Sequence, residues 1–373
     1  MVRPLLSAVP SRDAWNDEAT RMTLPTEPIG SIPRPPALQA GMAAAANSAI
    51  SAADLETLYD DAVRDTIRRF EGTGSPVITD GEQRKPSFAT YPVAGLPLAP
   101  GGVTIPFVDG HTRQLPVLTT APFRYATKAY SYLDAAKPYA HVPLKQAVIS
   151  ASAISLMYPG DGIPGYPREA FLDDLVAGAV GEIRGCLDRG ATVQIDFTEA
   201  RLSMKLDPSG GLLQSFVDIN NRVLDSLTPD ERSRVGVHSC PGGDQDSTHS
   251  ADVDYGTLLP TLFGLHLDRF FIELAGEPDR PMVLRILGEQ ATGDRRIFVG
   301  VTDPIDAHIE TADEVAERIL EAARYIDPAH LGTTDDCGFS PFGDDISTSR
   351  DTAFAKIRAR IEGTAKASAT LGV

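Results

Sequence analysis

The sequence predicts an α/β chain, a single (β/α)8 TIM barrel carrying an inserted excursion between its second and third strands. Short apolar runs that end in polar residues occur eight times along the chain. Helical patterns separate them, and strands that alternate with helices in this way form a parallel sheet or barrel. The strand runs are continuously apolar rather than alternating, as strands buried on both faces must be. At 373 residues the chain is long for an average domain, yet barrels of this size form as one unit.

The elements follow in order. Residues 1–24 read as a polar extension, because Pro, Ser, Arg and Asp interrupt any period, and residues 25–373 as the barrel. Strands are expected near Pro28–Ser31, Val77–Asp80, Lys145–Ser150, Thr192–Asp196, Val235–Ser239, Phe270–Glu273, Ile297–Val301 and His330–Thr334. Leu55, Leu58, Tyr59, Ala62, Val63, Thr66, Ile67 and Phe70 recur at the three/four spacing of one helix face. A second such face runs from Phe171 to Leu187 and includes Cys186, read as plain core; Gly190 follows as a stop. Thr311 and Glu314 form a capping box for a helix burying Val315, Ile319 and Ala323, and a last helix runs from about Ser349 to Leu371, stopped by Gly372. The Pro- and Gly-rich stretch 84–144 interrupts the alternation. It is too long for an ordinary barrel loop and is expected to be a subdomain or lid at the catalytic mouth, with a hairpin turning at Asp109-Gly110.

Composition narrows the function. Lys and Arg number 34 against 51 Asp and Glu, a net charge of −17, so nucleic acid and anionic membrane surfaces are poor partners. No apolar run reaches the ~20 residues of a membrane span, and the first residues lack the apolar core of a signal peptide. Three cysteines make no disulfide framework, which points to a reducing, cytoplasmic setting.

The chemistry-bearing residues fall at strand ends. VGVHSC places His238 and Cys240 two apart, on one side of an extended chain. FFIELAG supplies Glu273 and TTDDCGF supplies Cys337. In a barrel these ends share one rim, where the chemistry of the fold is carried out. Imidazole, two thiolates and a carboxylate are all zinc ligands. Two thiolates leave a thiol bound at such an ion nucleophilic, so the set points to alkylation of a sulfur rather than activation of water. The plainer reading keeps the cysteines as small core residues and His238 as a satisfied core histidine.

From about Leu24 onward the sequence resembles the C-terminal catalytic barrel of cobalamin-independent methionine synthase. His238, Cys240, Glu273 and Cys337 match the zinc ligands of that family; Ile29-Gly30-Ser31 matches its IGS motif, where the amino-acid carboxylate binds. Gly81-Glu82 and Gln194-Ile195-Asp196 match its GE and QID motifs, which implies that Glu82 and Asp196 hold the ammonium group of homocysteine. The implied activity is methyl transfer to that thiol, with Zn2+ as cofactor and an alkyl donor as second substrate.

Three departures accompany the match. No tryptophan follows the third strand, since the only one is Trp15. DPIDAHIE puts Ile305 where the family has its proton-donating histidine, leaving His308 nearby as the expected acid. DFTEARL lacks the second acid of the family's DEPALR in register. Methyltetrahydrofolate is therefore not assured as donor, because an amine leaves poorly without a proton. The related epoxyalkane:coenzyme M transferases offer the alternative, addition of a sulfonate-bearing thiol to an epoxide, for which Arg84, Lys85 and Arg201 are candidate anion partners. Asp335 and Asp336 are candidates to orient the ligands. A non-catalytic barrel with structural zinc, or a zinc-free barrel of the uroporphyrinogen decarboxylase type, stands as the rival of another class.

Overall fold

In the computed structural model, which describes residues 23–373, six parallel strands form one sheet. They are Lys145–Ile149, Thr192–Asp196, Val235–Ser239, Arg269–Ile272, Arg296–Thr302 and Leu331–Asp335, each beside its neighbours in sequence. All six run parallel, and nearly every residue in them is buried, which is why they read as unbroken apolar runs. The predicted bounds hold within a residue or two. The polar extension 1–24 falls almost wholly outside the described residues, Trp15 included. Leu24 is already core, and its N–H donates to Ser368 Oγ at 2.9 Å.

The first two expected strands are not strands. Thr26 and Ile78 instead make single parallel bridges, to Thr333 at one edge of the sheet and to Leu144 at the other. Pro25 and Pro28 have no N–H to give a ladder. Gly81 (φ +67°) and Glu82 (φ +57°) turn the second segment out of extended geometry. The two segments still meet: Ile32 N–H donates to Gly81 O at 3.0 Å, and Thr79 Oγ1 to Gly30 O at 2.7 Å.

Helices pack outside the sheet and begin and end where the sequence signals placed them. Ala52–Glu71 buries Ala62, Val63, Thr66, Ile67 and Phe70. Arg168–Leu187 buries Cys186 among Phe171, Leu175 and Ile183. Ala312–Ala322 opens with both halves of the Thr311–Glu314 capping box, though Ala322 rather than Ala323 is the buried alanine. Arg350–Leu371 stops at Gly372, whose φ of +75° is the left-handed cap that glycine favours.

The 84–144 segment holds the expected hairpin, Thr104–Pro106 against Thr112–Gln114, with Gly110 at φ +95°. Its tip lies against a second short hairpin, Gly243–Asp244 with Ser247–Thr248, through Val108 N–H to Thr248 O at 3.0 Å. Asp244 accepts from Arg113 Nε at 2.5 Å, and Arg113 also pairs with Asp344 at 2.9 Å. No helix among the described residues is long and apolar enough to cross a membrane.

Candidate metal centre and the cavity above it

Asp196 and Ser239 end their strands, and His238, Cys240, Glu273 and Cys337 lie within two residues of a strand end. The sheet register sets His238 directly beside Asp196 on one neighbour and Phe271 on the other. His238, Cys240 and Cys337 offer ligand atoms all within 4.8 Å of one another, and the two Sγ atoms are 3.3 Å apart. That separation is far beyond a disulfide bond and close to the ~3–4 Å between ligand atoms around a tetrahedral zinc.

The donor set fits a soft divalent cation. His238 is buried, yet neither ring nitrogen has a hydrogen-bond partner. Such a group costs on the order of 1–3 kcal/mol unless something else takes its lone pair. The contact with Cys240, helped by His238, holds Cys337 well below the usual thiol range, and that same contact pushes Cys240 up. Gly242 N–H donates to Cys240 Sγ at 3.4 Å, and a Cβ on Gly243 would stand 3.8 Å from Cys337 Sγ.

Glu273 is not part of this triad. Its Oε2 lies 3.5 Å from Arg201 NH1, and Arg201 also pairs with Glu277. Arg201 is fully buried with its guanidinium 3.9 Å from the Tyr255 ring centre, so it is no free anion receptor. The sequence pattern alone gave no sign that this arginine would reach the expected fourth ligand. Asp335 bonds Thr302 and Arg360, whereas Asp336 accepts from the N–H groups of Leu274, Ala275 and Gly276, fixing the turn after Glu273.

A cavity of about 670 Å³ opens beside the triad, within the range of small-molecule sites. Ser31, Glu82, Asp196, His238 and Cys337 line it. Ser31 Oγ accepts from Ser340 N–H at 3.1 Å, which leaves its own hydrogen free to donate. Glu82 is buried beside Asp80 and Asp196, with one ammonium, Lys85 Nζ, 3.2 Å from its Oε1; its Oε2 has no partner. Burial, against the pull of Lys85, pushes its carboxyl up to about 7. Asp196 is also raised by burial, and its Oδ1 accepts from Gln194 Nε2 at 2.8 Å.

Two expected site residues lie elsewhere. Arg84 pairs with Glu56 and Asp60 and lies over the Tyr59 ring, where three nearby groups satisfy it on the outer surface of a helix. His308 is half exposed, bonds Glu314 through Nε2 at 3.1 Å, and is not among the cavity residues. Ile305 of the same loop packs beside Gly243, its Cδ1 3.0 Å from where a Cβ on that glycine would stand.

The remaining walls come largely from apolar residues, among them Ile105, Phe107 and Leu115 of the 84–144 segment. Arg113 is the one arginine or lysine among the described residues lining the cavity, and its two acids already match it. His249 also lines it; burial holds this imidazole down at about 4, and Nδ1 is 2.7 Å from Ser250 Oγ. Glu199 joins Glu82, Asp196 and Asp344 as an acid of the wall, two residues beyond where the motif match placed the lost one.

Comparison with known proteins points the same way as the motifs. No family model matches the chain. A methionine synthase of Sulfurisphaera tokodaii is 25% identical over 352 residues, covering 91% of each chain. One of Saccharolobus islandicus (strain Y.G.57.14) is 25% identical over 357 residues, covering 91% of this chain and 94% of the relative. Among solved structures, a B12-independent methionine synthase from Shewanella sp. W3-18-1, in complex with selenomethionine, superposes with a TM-score of 0.71 at 18% identity. It covers 94% of this chain and 99% of the other, a shared fold. The chain is thus a relative, at modest identity and over nine-tenths of its length, of proteins named methionine synthase.

Proposed function

We propose that this kinship extends to chemistry: the chain is a zinc-dependent thiol methyltransferase that converts homocysteine to methionine. The architecture this requires is one closed (β/α)8 barrel over residues 25–373, with Thr26 and Ile78 in the places of the first two strands and 84–144 inserted as a cover. The meeting of Thr79 with Gly30 and of Ile32 with Gly81 supports closure.

One observation carries the reading. Three zinc-type ligands from two separate strand ends converge beside a cavity, and the buried imidazole among them has both nitrogens free. His238, Cys240 and Cys337 would hold the ion, with Glu273 as a fourth group that Arg201 draws away. Zinc bound there supplies the Lewis acidity that keeps a thiol deprotonated at neutral pH, against an ordinary thiol value of about 8.5.

The chain's own residues do the rest. Glu82 and Asp196 are two buried acids sharing one lysine, so an incoming ammonium group supplies the missing positive charge. The free hydrogen of the Ser31 hydroxyl donates to the substrate carboxylate. Ile105, Phe107 and Leu115 keep water from the reacting carbon.

The test is metal content and proton release. Protein purified without chelator should carry about one zinc per chain, and homocysteine binding, followed by calorimetry in buffers of different ionisation heat, should release close to one proton. Absence of zinc, or binding without proton release, would overturn the reading.

A further inference from the structure

Glu199 opens the short helix Glu199–Leu206 just beyond the Asp196 strand end, and it is 4% exposed. Its Oε1 accepts from Ser150 Oγ at 2.5 Å and from Ser152 Oγ. Asn220 Nδ2 in turn donates to Ser152 Oγ at 2.8 Å, so an uncharged hydrogen-bonded frame holds that oxygen. The other oxygen, Oε2, is buried and bonded to nothing, in a residue that lines the cavity. No arginine or lysine among the described residues pairs with it. A carboxyl so placed keeps its proton more easily than one in water, and burial pushes Glu199 up to about 7 against the pull of both serines.

The other titratable groups in the wall are committed. Asp344 is ion-paired with Arg113, and this holds its carboxyl below the usual range. His249 is held neutral by burial. Glu82 faces Lys85. Among the described cavity acids that burial raises, Glu82 and Asp196 both feel the Lys85 ammonium, whereas Glu199 has a free oxygen and no ammonium beside it.

We propose that Glu199 is the proton donor of the reaction, protonating the departing heteroatom of an uncharged alkyl donor seated in the apolar half of the cavity. The inference rests on the thiol-alkylation reading above. A new S–C bond forms as the bond from that carbon to its heteroatom X breaks. The bonding pair stays on X, and X takes the proton from Glu199. The thiol proton goes to solvent on binding and solvent returns one to the carboxyl after the transfer, so RSH and R′–X give RS–R′ and HX with no change of oxidation state. The donor is uncharged because the wall offers it no unmatched cation: Arg113 already has Asp244 and Asp344. An anionic donor would lie among Glu82, Asp196, Glu199 and Asp344 with no unpaired cation among the described wall residues.

The test compares two probe donors with homocysteine and zinc-loaded protein. 1,2-Epoxypropane opens to an alkoxide that needs a proton, whereas iodide leaves methyl iodide as a stable anion. Glu199→Gln keeps an oxygen for the two serines but has no proton to transfer. The epoxide rate should fall at least ~100-fold while the methyl iodide rate changes less than about twofold. Equal losses with both probes, or no loss with either, would overturn the proposal. If wild-type protein alkylates homocysteine with methyl iodide no faster than Cys337→Ser does, the thiol-activation reading fails, and this proposal falls with it. An infrared difference spectrum at pH 6, wild type minus Glu199→Gln, gives a readout independent of turnover. It should contain the C=O stretch of a neutral carboxyl, and its absence would also overturn the proposal. Should Glu199→Gln not fold, Ser152→Ala keeps the acid and removes one hydroxyl. The neutral-carboxyl band must then shift, and a band indifferent to that change counts against the assignment.

Discussion

The two ends of the sheet hold buried charge in opposite ways. At the base, where strands begin, Glu27 meets Arg269 and, at 3.6 Å, Lys145, whose Nζ also donates to Gln194 Oε1 at 2.8 Å. Burial would raise the Glu27 carboxyl, but Arg269 and Lys145 outweigh it and the group ends below its ordinary value. At the rim, Asp80, Glu82 and Asp196 share Lys85, and burial wins: all three carboxyls are raised. Glu82 Oε2, Asp80 Oδ2 and both nitrogens of His238 lack partners there. One acid against two cations is held charged by them, although Glu27 Oε2, 3.6 Å from Lys145 Nζ, makes no hydrogen bond. Three raised acids that share the Lys85 ammonium, with the Arg34 guanidinium as a further nearby cation, lie next to an unsatisfied imidazole and two touching thiols, and make a site that needs something from outside. In the proposed barrel the base would serve stability and the mouth chemistry, and the balance of charge separates the two ends of the sheet without any appeal to homologues.

Substitutions at the two ends should therefore fail in different assays. The largest effect belongs to Cys337→Ser: loss of bound zinc and of at least ~1,000-fold in kcat/KM, about 4 kcal/mol, with the thermal midpoint nearly unchanged. Metal analysis beside a melting curve checks it, and retained zinc would remove Cys337 from the ligand set. Glu27→Gln should do the reverse. It leaves Arg269 and Lys145 facing each other without an acid and costs on the order of 3 kcal/mol of stability, while zinc content and homocysteine binding stay as they were. If that variant loses zinc as well, the two ends are not independent.

Glu82→Gln tests the rim's charge deficit more gently. It keeps shape and zinc but removes the partner expected for an ammonium group, so KM for homocysteine should rise roughly 10- to 100-fold, the ~1.5–3 kcal/mol of a charged hydrogen bond. The turnover rate should move less. Buried carboxyls predict a pH trend as well, Glu182 among them, a residue of the Arg168–Leu187 helix that accepts from Tyr91 Oη at 2.9 Å. Glu82, Glu182 and Glu199 are each pushed by burial up to about 7 from an ordinary value near 4.5. Between those values the folded chain binds more protons than the unfolded one, so their contribution is full below about 4.5 and lost as pH rises through 7. Without ligand, the protein should melt higher at pH 5.5 than at pH 8, and Glu182→Gln should flatten that slope.

The six-stranded sheet was legible because strands such as Thr192–Asp196 and Val235–Ser239 are buried on both faces and carry no competing period. Pro28–Ser31 and Val77–Asp80 misled because an apolar run does not reveal whether its N–H groups can form a ladder. The triad was legible for a local reason: the H-x-C spacing and a cysteine at a strand end put ligands on one rim whatever the loops do. Contacts made across the chain were not legible. Nothing in DFTEARL announces that Arg201 reaches Glu273, or that Ser150 and Ser152 from the preceding strand end close on Glu199. An acid, Glu199, does lie two residues beyond the place where the motif match counted one as lost, at the start of a helix.

His308 gives the smallest expected effect and the sharpest check on that last point. Proximity to Ile305 in sequence made it the natural acid, but the side chain is half exposed and bonded to Glu314, which the Thr311 capping box already holds. An exposed pair of this kind is worth at most ~0.5 kcal/mol. His308→Ala should therefore leave catalytic efficiency within about twofold of wild type and the melting curve almost unmoved, because no proton delivered at that surface reaches the cavity. If turnover instead fell by ~100-fold with zinc retained, the size of a lost general acid, the 303–311 loop would have to swing its imidazole inward during the reaction. The acid of the reaction would then lie on that loop, and Glu199 would be left as a buried carboxyl tying two helices together.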